Sequence, residues 1–507
     1  MADSLVEGSP IPGTQVLVAD GGCHTLLIGG RSCDAADGTR FNVEDPATER
    51  VLATVANAGA VDASLALDAA VDAGAQWAAT PSRARSELLR RAFDLLVLRT
   101  DDFARSITAE MGKPLVDARA EVGYAADFLR WFAEEAVRIP GRFTPAPDGT
   151  TQIVVTGRPV GPCYLVTPWN FPLAMATRKL APALAAGCAV VLKPAELTPL
   201  TSLLFAELLV EVGLPPGVVN VVTTTRPAEV SAALLADPRL RKLSFTGSTA
   251  VGRTLLAQAA PRVLRTSMEL GGNAPFVVFD DADLDAAVVG AMQAKFRNGG
   301  QACTAANRFL VQADVAEPFT DRIVQRVAAL RLGPGDAAGT DVGPLVDARA
   351  VRKIDELVRR AVAQGARVLA GGRPVAGRGH FFEPTVLADV GPDADILAEE
   401  IFGPVVVLTS FVDERHAVEL ANATEYGLAS YVYTRDVSRA HRMIDALDAG
   451  MTGINTGLIS NAAAPFGGVK QSGTGREGGT EGLQEYLATR YAAFGGQTGT
   501  AATPTTT

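Results

Sequence analysis

Cys303 stands in the stretch KFRNGGQACTAANR, residues 295–308. An apolar helical run ends at Asn298-Gly299-Gly300, and the cysteine follows in a turn. Three roles are open to such a residue: a buried structural thiol, a redox centre or a nucleophile. The polar, glycine-rich surroundings favour exposure and reactivity. A thiolate nucleophile needs a base or a positive field, donors for the oxyanion it creates, and a route for breakdown of the covalent intermediate. The chain has 4 His, none near an active-site motif, so a carboxylate is the better base. Glu269, in MELGG, follows a short apolar piece and precedes two glycines that let backbones pack closely. It is either that base or a surface acid at a strand end.

Two further segments have the chemistry of a ligand site. FTGSTAVG, residues 245–252, reads as a strand, a tight turn and a helix start. Gly247 and Ser248 would sit where backbone N–H groups hold phosphate, or they are an ordinary turn and cap. The segment is neither a GxGxxG nor a GxxxxGK[ST] fingerprint. Lys193-Pro194-Ala195-Glu196 follows a strand, the place where open α/β sheets bind ligands. This lysine and glutamate would hold ribose hydroxyls, or form a solvent-facing pair.

The elements that must position these residues alternate along the chain. Residues 61–135 form a helical front section, with Leu88, Leu89, Ala92, Leu95 and Leu96 on one face of a helix over 83–99, another helix over 101–112 ending at Gly112, and one from Leu115 to about Glu135. Strands at 161–167, 189–192, 218–222 and 243–245 alternate with helices at 174–186 and 201–211. Their spacing of about 25 to 30 residues suits βαβ units and a largely parallel sheet. A second α/β region follows, with helices near 284–298, 317–330 and 351–364 and strands at 308–311, 366–369 and 405–409. The β-rich pieces 149–158 and 486–495 pair in an oligomerisation flap, and the tail from Gly496 is read as disordered.

The chain has 507 residues, enough for two to four domains. A net charge of -10 argues against a non-specific nucleic-acid or anionic-membrane binder, while leaving a locally positive pocket open. The 5 Cys are odd in number and scattered, which makes no disulfide framework. With no CxxC or HExxH, no structural metal site is expected. The start, MADSLVEGSP, has neither a signal-peptide nor a transit-peptide pattern, so a soluble cytoplasmic protein is expected.

Seven motifs occur together in one order: TPWNFPL (167–173), KPAELTP (193–199), FTGST (245–249), MELGGNAP (268–275), GQACTAANR (300–308), EEIFGP (399–404) and PFGGVKQSGTGREG (465–478). Together they resemble the aldehyde dehydrogenase superfamily over about residues 15 to 495. The resemblance implies an α/β fold with a variant Rossmann cofactor domain (1–139 and 160–270), an α/β catalytic domain (271–479) and a β-hairpin oligomerisation flap (140–159 and 480–495). It makes Cys303 the nucleophile, Glu269 the base for the deacylating water, and Asn170 the side-chain oxyanion donor. Lys179 and Glu477 match a proton relay. Pro168, Trp169, Lys193, Glu196, Gly247, Ser248, Glu400 and Phe402 match cofactor contacts. A homodimer or homotetramer is implied.

Within the superfamily the chain resembles succinate-semialdehyde dehydrogenases. Arg178, Arg297 and Ser460 match residues that receive the substrate carboxylate, and arginine suits that task because it binds carboxylate bidentately. Alternatively, Arg178 pairs with a surface acid and Arg297 serves a helix end. Glutarate semialdehyde, one methylene longer, and a broad aldehyde specificity are the nearest other readings; a hydrophobic pocket discriminates a methylene by only about 1–3 kcal/mol. Some members carry a second cysteine two residues after the nucleophile; here that position is Ala305. Glu196 favours NAD over NADP, because a carboxylate accepts from both ribose hydroxyls and repels a 2′-phosphate. NADP stays open through Lys193.

Overall fold

The computed structural model describes residues 22–495. The expected disorder from Gly496 and the leader reading of the first ten residues both fall outside them. Two large sheets organise the described chain. In the first, eight strands run in the order Gly473–Thr474, Arg265–Glu269, Lys242–Thr246, Cys163–Val166, Val190–Lys193, Val219–Val221, Leu26–Ile28, Arg31–Cys33. The five strands from Arg265–Glu269 to Val219–Val221 are mutually parallel. Their residues are buried almost throughout, as expected for continuous apolar strands covered by helices on both faces.

The chain lays these strands outward from Cys163–Val166 to Val219–Val221, then returns to place Lys242–Thr246 on the other side of the first. The order therefore reverses between Cys163–Val166 and Lys242–Thr246. Loops leaving such a pair diverge and open a crevice at the carboxyl ends of the strands. The loops here carry PWN and TGS.

The front helices form close to where the sequence places them. Ser82–Leu98 buries Leu88, Leu89, Ala92 and Leu96, with Leu95 only partly covered. Thr100–Met111 ends at Gly112, which takes a left-handed φ of 91°. Leu115–Glu135 has the expected bounds. The helix expected to reach Asn298 ends instead at Phe296. A 3-10 turn follows over Arg297–Gly300, in which Asn298, Gly299 and Gly300 all have positive φ. Asparagine and glycine tolerate that conformation, so the sequence that ends the helix also builds the turn before Cys303.

The second sheet has seven strands, in the order Arg367–Ala370, Thr385–Ala388, Val405–Phe411, Ala306–Gln312, Ala274–Val278, Ala429–Tyr433, Met451–Ile454. All pairs are parallel except the one made by Arg367–Ala370. Its core includes Phe276, which packs on Phe309, Tyr431 and Tyr433. A third, antiparallel sheet joins Arg142–Pro145, Thr151–Pro159 and Leu487–Gly495. In its last strand every residue after Leu487 is exposed. Among the described residues no helix is long and apolar enough to cross a membrane.

Candidate active site

Cys303 sits at the wall of a cavity and is partly open to it. The turn that carries Cys303 is fastened from both sides. Asn298 Nδ2 donates to the backbone oxygens of Asn170 (2.9 Å) and Gln301 (3.0 Å). Asn170 Nδ2 also donates to Gln301 O at 3.0 Å, and Asn170 Oδ1 is buried without a partner. The oxygen of Asn170 accepts a further bond from Lys113 Nζ at 2.8 Å. Lys113 is itself paired at 2.5 Å with Glu121 Oε2, both side chains fully buried, while Glu121 Oε1 accepts from the N–H groups of Leu173 and Ala174. The PWNFP loop and the Cys303 turn are thus held as one unit. Lys113 and Glu121 escaped the sequence reading, because nothing in a local pattern shows that a lysine and a glutamate meet in the interior.

Glu269 is not a surface acid. It ends the strand Arg265–Glu269, is 2 % exposed, and neither carboxylate oxygen has a partner. Burial, and then the charge of Glu477, push its carboxyl well above the usual range, against the pull of Arg178 and Lys179. Burial likewise pushes the Cys303 thiol up to about 12, with Arg178 and Arg297 pulling down and Glu400 and Glu269 pushing up.

Arg178 has a divided role. It is 1 % exposed, and its Nε donates to Glu477 Oε2. Glu477 Oε1 accepts from Lys179 Nζ at 2.5 Å, and Lys179 Nζ also donates to Ser244 at 2.9 Å. Although burial opposes ionisation of Glu477, these two cations hold its carboxyl below the usual range. The Arg178 guanidinium lies 3.9 Å above the Phe466 ring, and its Nη2 is buried without a partner beside the cavity. So Arg178 does pair with an acid, as one alternative had it, but an interior one.

Arg297, directly after the helix Leu284–Phe296, stacks 5.1 Å from the Phe171 ring and lines the same cavity as Ser460. Pro168, Gly247, Glu400 and Phe402 line it as well. Gly272 N donates to Glu400 Oε1 at 3.0 Å, and Lys353 Nζ holds the Glu400 backbone oxygen at 2.6 Å. Phe402 has a φ of 58° and meets Trp169 edge to face at 5.4 Å. Lys193 ends its strand, buried, with Nζ 3.0 Å from Pro194 O and 3.9 Å from Glu196, whose side chain is 39% exposed. Ser248 caps the helix Thr249–Ala259. Glu269, Lys179, Glu477, Trp169, Lys193, Glu196 and Ser248 do not line the cavity itself.

A thiol, an amide donor and a cluster of cations around one cavity, at the switch point of a parallel sheet, have counterparts in known proteins. The chain belongs to the aldehyde dehydrogenase family, whose family model matches residues 33–492; it is an oxidoreductase. It is 59% identical to a succinate-semialdehyde dehydrogenase of Paenarthrobacter nicotinovorans over 87% of this chain and 98% of that protein. It is 49% identical to a glutarate-semialdehyde dehydrogenase of Pseudomonas aeruginosa, over 92% of this chain and 97% of the relative. The crystal structure of an Escherichia coli NADP-dependent enzyme superposes with a TM-score of 0.92 at 47% identity, covering 93% of this chain and 98% of that one.

Proposed function

We propose that the protein oxidises succinate semialdehyde to succinate through a covalent intermediate on Cys303, with a nicotinamide dinucleotide as electron acceptor. The observation that carries the reading is the placing of Arg297, Ser460 and the unpartnered Nη2 of Arg178 around the cavity that holds Cys303. A buried guanidinium edge without an acceptor calls for an anionic one, and the far end of this substrate is a carboxylate. The Paenarthrobacter relative, named for this substrate, supports it. Glutarate semialdehyde, for which the Pseudomonas aeruginosa relative is named, presents the same two ends and is the second reading.

The residues at the switch-point crevice fit a dinucleotide. Gly247 and Ser248 open the helix Thr249–Ala259, and Thr246 Oγ1 is buried without a partner beside them. Lys193 and Glu196 stand at the end of Val190–Lys193, two strands over from Lys242–Thr246, for the adenosine ribose, and Glu400 and Phe402 flank the cavity for the nicotinamide end. Pro168 and Trp169 would bound the crevice between them. When bound, the cofactor supplies the hydride acceptor. Glu196 favours NAD, and the E. coli relative, described as NADP-dependent, keeps NADP as the alternative.

In the mechanism we propose, the Cys303 thiol gives up its proton to solvent water and its sulfur bonds to the aldehyde carbon. The carbonyl oxygen becomes an oxyanion, held by Asn170 Nδ2 and the Cys303 N–H. After oxidation the carbon is a thioester of Cys303. Glu269 takes a proton from water, the oxygen attacks the thioester carbon, and the thiolate leaves with the acid as product. Lys179 and Glu477 return the proton from Glu269 toward solvent. The exposed edge strand Leu487–Gly495 is the surface we assign to assembly into a dimer or tetramer, with the protein cytoplasmic. Initial rates with succinate semialdehyde, glutarate semialdehyde and butanal test the substrate reading. A kcat/KM for succinate semialdehyde about tenfold or more above butanal supports it; equal or faster butanal oxidation refutes it.

A further inference from the structure

Tyr124 lines the cavity without belonging to any of the sequence motifs or to the residues the resemblance assigned. Tyr124 lies in the helix Leu115–Glu135, and its ring packs edge to face on the buried Phe128, centroids 4.9 Å apart. That contact fixes the direction of the ring. The ring lines the cavity with Arg178, Arg297, Ser460 and Cys303. Its hydroxyl oxygen is buried and has no hydrogen-bond partner.

A hydroxyl kept in a protein interior normally finds an acceptor. Other buried tyrosines of this chain do: Tyr164 bonds Ser231 at 3.0 Å, and Tyr431 donates to Thr304 O at 2.8 Å. Tyr124 departs from them, and so does Arg178, whose Nη2 is unpartnered at the same cavity; the third such donor there, Thr246 Oγ1, belongs to the strand end beside Gly247. Both line the one cavity. If packing were the only demand here, phenylalanine would fill the space without stranding a polar atom. Two stranded donors facing one cavity are completed by a ligand that only accepts. An ionised carboxylate does this, and the alkyl end of a neutral aldehyde does not.

We infer that Tyr124 is a specificity-determining residue whose hydroxyl donates a hydrogen bond to the distal carboxylate of the semialdehyde, beside Arg178 Nη2. The inference rests on the semialdehyde reading above. With Nε of Arg178 committed to Glu477 and its face to Phe466, a single guanidinium edge of that residue remains for substrate, and the tyrosine adds a donor to those of Arg297 and Ser460. No bond is made or broken at Tyr124; it acts on binding alone.

The test is Tyr124→Phe in the full chain, with kcat and KM measured for succinate semialdehyde and butanal. The expected result is a rise of about tenfold in KM for succinate semialdehyde, kcat held within about twofold, and kcat/KM for butanal within about twofold of the parent. Tyr124→Met, which also removes the ring contact with Phe128, must show the same split, with a larger loss on the semialdehyde than on butanal. Equal losses on both substrates, or an unchanged KM for the semialdehyde, overturn the inference. Failure of the underlying reading shows separately, in the parent enzyme, as no preference for succinate semialdehyde over butanal, and it overturns the role of Tyr124 with it.

Discussion

A Cβ atom placed on Gly272 would overlap the backbone oxygen of Cys303. The segment that carries Glu269 and the turn that carries Cys303, the proposed nucleophile, are thus in backbone contact, and the second glycine of MELGG is what permits it. Its N–H also holds Glu400. Gly272→Ala would have to move the nucleophile turn, and a displacement of about 1 Å at a reacting atom costs about a hundredfold in rate. Steady-state kcat should fall at least that far while the circular dichroism spectrum stays that of the parent. A variant with near-parental kcat would show that the close approach does not position Cys303.

Glu269 and Glu477 form a like-charged pair separated in role by their partners. Glu477 is anchored by Arg178 and Lys179; Glu269 has no partner and is raised. As the proposed base Glu269 works deprotonated, so kcat should rise with pH through an apparent pKa well above that of an ordinary glutamate. Glu477→Gln removes the repulsion and frees two cations to act on Glu269, so the acidic limb should move to lower pH. The same change leaves two buried cations without their carboxylate, which costs about 3–5 kcal/mol of stability. A kcat profile from about pH 5.5 to 9.5, taken below the variant's melting temperature, checks the sign. An acidic limb that stays in place or moves upward contradicts it.

Glu269→Gln should spare acylation and stop hydrolysis. The expected trace is a burst of reduced cofactor, about one per active site, followed by a steady rate at least a hundredfold slower. Loss of the burst together with the steady rate would mean that Glu269 is needed before the thioester forms.

The Cys303 thiol, raised to about 12 by burial, is protonated at neutral pH without ligands. Alkylation by iodoacetamide, followed on the Cys303 peptide by mass spectrometry, should climb about tenfold per pH unit from 7 to 9 without a plateau. A plateau below pH 8 would show a thiolate already formed in the unliganded enzyme.

Much of this site is legible in the sequence, for a physical reason. The turn before Cys303 needs Asn298, Gly299 and Gly300 because three successive residues take positive φ, and such needs leave fixed letters in fixed places. The helix Leu115–Glu135 is legible from its apolar spacing. What spacing does not show is which residues of that helix face a cavity assembled from remote segments. Tyr124 and Glu121 are three residues apart on it; one faces the cavity, and the other bonds Lys113 and caps the next helix. The strand Arg265–Glu269, of mixed sequence RTSME, ends in an acid, and only its neighbours in the sheet make Glu269 an interior residue.

The two arginines should separate under mutation. Arg297 stacks on Phe171 and faces the cavity, whereas Arg178 also neutralises Glu477. Arg297→Met should lower kcat/KM for succinate semialdehyde by about a hundredfold and leave butanal within about threefold. Arg178→Met should impair both substrates and lower the melting temperature, because Glu477 keeps only Lys179. Equal effects of Arg297→Met on the two aldehydes would remove it from the anion end of the cavity.

Cofactor choice should turn on the pair at the end of Val190–Lys193. Lys193 is buried and its ammonium lies 3.9 Å from Glu196. A ribose carrying two hydroxyls gains by donating to the carboxylate, while a 2′-phosphate is repelled by Glu196 and attracted by Lys193. With both groups present the carboxylate, being nearer solvent and free to turn, sets the preference, and the expected order is NAD before NADP. Glu196→Ser removes the repulsion and leaves Lys193 without its counter-ion, so the ratio of kcat/KM for NADP to that for NAD should rise at least about tenfold. Lys193→Met should move the ratio the other way. Should Glu196→Ser leave the ratio unchanged, the 2′ position does not meet this pair, and the selection lies elsewhere in the crevice.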